Sequence, residues 1–380
     1  MVITGCGVVS PLGVGVRAFW DGLVAGRTAV AQIAGFPAED LTPHAAAEVR
    51  DPGFADPDRA GAFALRAASE AVADARLEEI DSTRMGVALG TTLGGMRIFE
   101  AWCPPGGAAL GLDRIPYFAP AVRLARALGC RGPVATTQLA CASGTHAVAL
   151  AAEWVRRGHA DVVLAGGTDL LCRFVVSGFN ALRATAEVAR PFDRARRGLV
   201  LGEGAAVVVV EDEAHARRRG ASVRARLLGV GAAADAVHMT APDREGGGAA
   251  RAMIAALEDA RLPPTAVDFV SAHGTGAPYN DAMEAVALRR VFGDRPVPVN
   301  SIKGAIGHTL GAAGAFEVVV CERTLASGTI APTAGLTDVD PACAGLDLVR
   351  GAARAARVNV ALSTSSGFAG TNAALVLGAA

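Results

Sequence analysis

Lysine is almost missing from this chain. Lys and Arg together number 36 in 380 residues, and Lys303 is the only lysine among them. Arginine is a rigid planar fork, whereas lysine is a compact point donor, so the one position that keeps an ammonium is a candidate for needing it. A net field of either sign is missing too, since the formal charge is −1. That excludes recruitment by bulk attraction to nucleic acid or to an anionic membrane. No CxxC pair occurs. The seven cysteines (Cys6, Cys103, Cys130, Cys141, Cys172, Cys321 and Cys343) are odd in number and widely spaced. This argues against a disulfide framework or a zinc site and for a reducing, cytoplasmic setting. No apolar run reaches membrane-spanning length, and Met1 leads into an apolar strand, VITGCGVV, without a secretory pattern.

What is present is small and apolar. Half of the residues are apolar (51%) and 46 are glycine, which suits a large close-packed core in one large domain or two of ordinary size. Strand and helix patterns alternate throughout. Strands are expected at 2–9, 85–89, 134–139, 160–165, 200–211, 223–230, 267–272, 297–301, 358–363 and 373–377. Helices are expected at 59–75, 170–184, 247–260, 281–291 and 311–325, with a loop at 303–308. The alternation predicts an α/β fold with sheets covered on both faces. A break near Asp235 reads as the seam between two similar halves, 1–235 and 236–380.

The stretch PVATTQLACASGTHAVALAA places Cys141 where a strand gives way to a helix. Unpaired N–H groups and the positive end of the helix dipole there stabilise a thiolate and offer donors to an oxyanion. Ala142, Ser143 and Gly144 leave room for a thioester. The competing reading is a buried cysteine acting as a small hydrophobe.

Two further segments have the form strand, glycine-rich turn with a histidine, helix: SAHGTGAPYNDAMEA around His273 and NSIKGAIGHTLGAAGAFE around Lys303 and His308. Glycines let backbone or ligand come close. Two such histidines and a cysteine at a helix start suggest one converging site. A single chemistry uses the set. The cysteine holds an acyl group as a thioester, and two imidazole N–H donors polarise a second thioester as its carboxylate leaves as CO2. Lys303 would set an imidazole tautomer by hydrogen bonding. Glu317 would hold Lys303 or, equally well, be a solvated helix residue.

The sequence resembles the β-ketoacyl-acyl-carrier-protein synthases, in particular the elongating type of fatty-acid and polyketide synthesis. The resemblance runs from VITGCGVVSPLG to GFAGTNAALVL and includes ACASG, RPFDRARRGLVLGEGAA, AHGTGAPYND, SIKGAIGHTLGAAGA and SGFAGTN. It implies a thiolase-like fold of two related halves in α-β-α-β-α layers, normally a dimer. It implies Cys141 as the acylated nucleophile, His273 and His308 as decarboxylation donors, and Lys303 and Glu317 as their supporting pair. It also implies an oxyanion hole from the Cys141 and Phe368 N–H groups, with the Phe368 ring as a gate. No organic cofactor or metal is implied. The implied partners are an acyl carrier protein and a second subunit, in a homodimer or a heterodimer with a homologue, and Arg190, Arg194, Arg196 and Arg197 are candidates for a carrier-facing rim. The chain departs from the family pattern in a compressed segment at 92–132, which carries Trp102-Cys103-Pro104-Pro105-Gly106-Gly107, and in a short loop at 184–189. It also has Ala369 where the family prefers glycine, and that Cβ is expected to stiffen the gate. Cys172 is expected in the core. The alternatives are a chain-length-setting partner subunit, a thiolase or coenzyme-A-dependent starter enzyme, and an acyl-binding protein without turnover.

Overall fold

In a computed structural model of the chain, residues 1–77, 80–104 and 111–380 are described. Of the compressed segment, Pro105–Gly107 lie outside them. In chain order the first half contributes β1 (Val2–Ser10), α1 (Arg59–Ala75), β2 (Met85–Gly90), β3 (Val134–Thr137), α2 (Ser143–Arg156), β4 (Val162–Asp169), α3 (Arg173–Ala181) and β5 (Gly204–Glu211). The second contributes β6 (Ala225–Ala234), α4 (Gly247–Ala260), β7 (Phe269–Ser271), α5 (Pro278–Phe292), β8 (Pro298–Asn300), α6 (Lys303–Ile306), α7 (Ala313–Ser327), β9 (Asp347–Leu348), β10 (Val360–Gly367) and β11 (Thr371–Ala379).

The strands follow one plan twice. The first half runs β1-β5-β4-β2-β3 across the sheet and the second runs β6-β11-β10-β7-β8, with β9 added outside β8. In both, the first three strands named form two antiparallel pairs and the pairs outside them, toward the sheet edge, are parallel. The two plans meet where Val2 and Ile3 pair with Arg226 and Ala225. Strand β6, which lies just before Asp235, thus occupies in the second plan the place of β1 in the first.

Helices α2 and α7 fill the space between the two plans. Ala147, Val148, Ala151 and Ala152 of α2 share a core with Phe316, Val318, Val319 and Val320 of α7. Helix α1 covers the first plan from outside and α4 and α5 cover the second, which completes the five layers. Helix α7 carries buried residues round its whole circumference, as a helix enclosed on every side must. Its first turn crosses that of α2 at glycines. A Cβ on Gly314 would sit 1.9 Å from Thr145 Oγ1, and one on Gly144 would sit 2.9 Å from the Gly311 carbonyl. This close approach brings Cys141, ahead of α2, beside the turn that precedes α7.

Several boundaries differ from the sequence expectation for local reasons. The expected strand over 134–139 ends at Thr137, because Leu139 N–H turns to the Ser143 hydroxyl at 2.8 Å. The helix expected from 170 starts at Arg173. Leu170–Cys172 stay buried, and Leu171 N–H donates to Glu203 at 3.0 Å. The expected loop at 303–308 contains one helical turn, α6, closed by Gly307 at φ 66°. Among the described residues no helix is long and apolar enough to cross a membrane, and all seven cysteines are free.

Candidate active site

Cys141 sits one residue ahead of Ala142, the N-cap of α2. The backbone reaches it through Ala140, held at φ 49°, a left-handed conformation that costs an L-residue roughly 1–2 kcal/mol. The Ser143 hydroxyl fixes that turn by accepting from Leu139 N–H at 2.8 Å and donating to the Ala140 carbonyl at 2.6 Å. Gly367 at the end of β10 lies against it, close enough that a Cβ there would be 3.1 Å from Cys141 N. Among the described residues, the turn and loop hydrogen bonds between backbone groups engage neither Cys141 N–H nor Phe368 N–H.

The thiol itself is not activated in the way the helix start predicts. Cys141 is buried, and loss of solvent pushes its pKa up to about 12; the Lys303 charge opposes the rise, while the Asp169 and Glu317 charges add to it. Desolvation of a thiolate outweighs a partial charge at the helix end, so the resting group is a neutral thiol.

His273 and His308 meet edge to face, with ring centroids 5.2 Å apart. Burial and the Lys303 charge hold both pKa values well below the usual histidine range, so both rings are neutral. Their tautomers follow from their neighbours. Lys303 Nζ lies 3.3 Å from His273 Nδ1, and an ammonium can only donate, so Nδ1 accepts and Nε2 carries the proton. His308 Nδ1 accepts from Leu310 N–H at 3.2 Å, which again leaves the proton on Nε2.

Lys303 is anchored on three sides. Besides His273 Nδ1, Nζ donates to the His273 carbonyl and to Glu317 Oε1, both at 2.5 Å. Glu317 is fully buried, not solvated, and its other oxygen accepts from the Ser365 hydroxyl at 3.1 Å. Burial raises its pKa to about 7, against the pull of the Lys303 charge.

Three carboxylates that the sequence reading passed over hold the loops. Glu284 takes the N–H groups of His273 and Gly274, each at 2.7 Å. Asp281 takes those of Thr275 and Phe192 at 2.9 and 2.7 Å. Asp169, at the end of β4, accepts from Thr92 N–H, Leu93 N–H, Gly311 N–H and the hydroxyls of Thr91 and Thr92. Its signal was an acid closing an otherwise apolar strand. For Asp281 and Glu284 it was a pair of acids in the first turns of the helix after HGTG, where backbone donors are free.

A cavity of about 490 Å³ opens to the surface and is lined by Cys141, His273, His308 and Phe368. A second, of about 390 Å³, also reaches Cys141 and Phe368. The Phe368 ring stacks on Phe179 with centroids 5.6 Å apart, at the border of the two. Ala369 next to it has φ 64°, and its N–H donates to the Met239 carbonyl at 2.6 Å. Cys172 lies in the core, as expected. Arg196 departs from the expected rim. It is 4% exposed and bonded to Asp340 at 2.6 Å, because this guanidinium ties the 190s loop to the acids of the second half. Arg190 is half-buried, and Arg194 and Arg197 are exposed.

Residues 1–216 match the family model for the β-ketoacyl synthase N-terminal domain, and residues 224–337 match that for the C-terminal domain. The tetracenomycin polyketide synthase ketoacyl synthase alpha subunit of Streptomyces glaucescens is 39% identical, over 99% of this chain and 96% of its own length. Among solved structures, the ishigamide ketosynthase/chain length factor superposes with a TM-score of 0.94 at 36% identity, covering 100% of this chain and 98% of the other. A type II acyl-carrier protein in complex with its ketosynthase bound to the hexaketide gives 0.92 at 32% identity, covering 100% and 98%.

Proposed function

The chain belongs to the β-ketoacyl synthase family, and from that premise we propose that its site carries out decarboxylative condensation of an acyl group with a malonyl thioester, both delivered by an acyl carrier protein. In the first step Cys141 Sγ attacks the acyl thioester carbonyl. The bond to the carrier sulfur breaks, and the thiol proton leaves with that sulfur. The developing oxyanion is received by the N–H groups of Cys141 and Phe368. In the second step the Nε2–H groups of His273 and His308 donate to the malonyl thioester oxygen. Its carboxylate departs as CO2, the enolate carbon attacks the acyl carbon, the bond to Cys141 Sγ breaks, and the departing thiolate takes a proton from solvent to restore the thiol.

One observation carries this reading. Both imidazoles have Nδ1 occupied as an acceptor, so both present Nε2–H to the cavity that Cys141 lines. Paired neutral donors suit an enolate better than a general base, because neither ring has a free lone pair with which to take a proton. Lys303 and Glu317 act as the pair that fixes His273, and Phe368 as the gate between the two cavities. The division of labour falls across a seam at 235/236, with the nucleophile in the first half and both histidines in the second.

A second subunit is favoured by the unpaired edge of β3 and by exposed apolar side chains. That strand pairs only with β2 among the described residues, and Trp102, Phe118, Phe174 and Leu182 are exposed. The carrier and chain-length-factor complexes among the structural neighbours support a homodimer or a heterodimer with a homologue, served by a carrier. The test is intact-protein mass after incubation with acyl carrier thioesters, beside Cys141→Ala, alone and with a co-encoded homologue, followed by malonyl carrier protein and assay of CO2. A Cys141-dependent adduct that disappears as CO2 and a longer product form is expected. An adduct that never turns over would leave an acyl-binding role.

A further inference from the structure

Two buried hydroxyls join the nucleophile helix to the histidines. Thr145, in the first turn of α2, lies one helical turn after Cys141. Its Oγ1 is 2.7 Å from Ser365 Oγ on β10, and the Ser365 hydroxyl donates to Glu317 Oε2 at 3.1 Å. Glu317 Oε1 holds Lys303 Nζ, which also donates to His273 Nδ1. Thr145, Ser365 and Glu317 are all buried. Side chains from α2, β10, α7, α6 and the loop after β7 thus form one line from the first half of the chain to the second. Gly314 leaves room for it, since a Cβ there would also fall 2.9 Å from Ser365 Oγ.

The line has a direction. An ionised Glu317 carries no proton, so the Ser365 proton goes to it, and Ser365 Oγ accepts from Thr145. Each hydroxyl proton then has an acceptor. With Glu317 protonated and donating to Ser365, the order reverses, and the Thr145 proton finds no other acceptor among the described residues. The hydroxyls therefore favour the charged carboxylate, against the burial that pushes its pKa up to about 7. The titratable groups that face Glu317 are separate from this bond. The Lys303 charge pulls its pKa down and the Glu284 charge pushes it up. Glu284 has donors of its own in His273 N–H, Gly274 N–H and the Thr364 hydroxyl. Burial keeps the thiols of Cys141 and Cys321 and the ring of His273 neutral. A charged Glu317 keeps Nζ between itself and His273, and so keeps His273 Nδ1 an acceptor. We propose that Thr145 and Ser365 are positioning residues for decarboxylation: Ser365 holds Glu317 in its charged form, and Thr145 acts through Ser365. The proposal rests on the reading of His273 as an enolate donor and adds the residues that keep it one.

The test is the pH profile of malonyl carrier protein decarboxylation, alone and with the co-encoded homologue. It is measured for the native protein, Ser365→Ala, Thr145→Val, the double variant and Thr145→Ser. The acid limb follows Glu317, because the reaction needs that carboxylate charged. Removing a donor from a charge moves the limb to higher pH. The expected loss at pH 6 is about tenfold for Ser365→Ala and about threefold for Thr145→Val, and it shrinks toward pH 9, as a packing defect would not. Thr145→Ser keeps the hydroxyl and should restore the native limb. The double variant should be no worse than Ser365→Ala, since Thr145 has no other route to Glu317. Urea unfolding of the same proteins gives a reading that does not depend on turnover. Stability falls with rising pH and levels off at the folded pKa of a raised carboxyl, so the levelling-off should move up together with the limb. An unmoved limb in Ser365→Ala or in Thr145→Val, or losses that multiply in the double variant, overturns the inference. If the native protein decarboxylates nothing, the condensing reading falls, and the urea series alone then decides whether the hydroxyls hold the charge of Glu317.

Discussion

Replacing Lys303 by methionine separates two jobs of one ammonium. In the native protein Glu317 has its pKa raised to about 7 by burial, from an ordinary value of 4.5. A raised carboxyl binds a proton in the fold that the unfolded chain has already lost. Stability is therefore highest below the unfolded value and falls as pH rises through the folded value, after which it levels off. In Lys303→Met the charge that opposes the rise is gone, so the folded value climbs further and the decline continues past pH 7. Below that pH the variant loses only the hydrogen bonds of Nζ, which cost on the order of 1–3 kcal/mol. Above it the penalty grows by about 1.4 kcal/mol per pH unit, or roughly 3 kcal/mol more by pH 9. Urea unfolding at pH 6, 7, 8 and 9, followed by tryptophan fluorescence, reads this directly. Adding Glu317→Gln to the variant should abolish the slope. Decarboxylation of malonyl carrier protein should stay low in the double variant, because His273 Nδ1 still lacks its donor. A penalty that is flat from pH 6 to 9 would refute the account of Glu317. Recovery of decarboxylation in the double variant would refute the tautomer role of Lys303.

His273→Ala and His308→Ala should each lower decarboxylation by about 10²–10³, the usual cost of one lost oxyanion donor, while Cys141 still takes up an acyl group in the mass assay. Alkylation of resting Cys141 by iodoacetamide should climb about tenfold per pH unit through pH 9 without a plateau, since burial holds the thiol up at about 12; a plateau below pH 8 would mean an activated thiolate. Asp169→Asn puts an amide NH2 among donors only, and should lower stability by about 2 kcal/mol or more in urea melts. Ala369→Gly relieves a left-handed alanine at φ 64°, worth about 1 kcal/mol, and should speed acyl transfer in stopped-flow loading; an unchanged rate would mean that the turn does not limit entry.

The alternation of strands and helices was legible because period and turn chemistry are local properties. The ranges 59–75 and 247–260 match α1 and α4 residue for residue. The candidates Cys141, His273, Lys303 and His308 were legible too, since each lies in a short segment where glycines and small residues cluster at a strand end or a helix start. Boundaries failed where one long-range bond overrode the local pattern. The start of α3 waits for Leu171 to reach Glu203, thirty-two residues away. Arg196 looked like its exposed neighbours on paper, and the acids that bury it come from another part of the chain.

Residue types and their order thus sufficed for the α/β class, the doubled plan and the chemistry of a thiol with two imidazoles. Only the tertiary structure decided the states in which those groups stand. Burial sets the thiol neutral against the helix end, a distant lysine and a backbone amide choose the tautomers, and Glu317 becomes an ion-pair partner by losing its solvent. Each depends on how much water and which charges surround a group, and those come from segments far apart in sequence. The two cavities that meet at Phe368 arise in the same way, from walls that α3, the turn before α7 and the 368–370 turn build together.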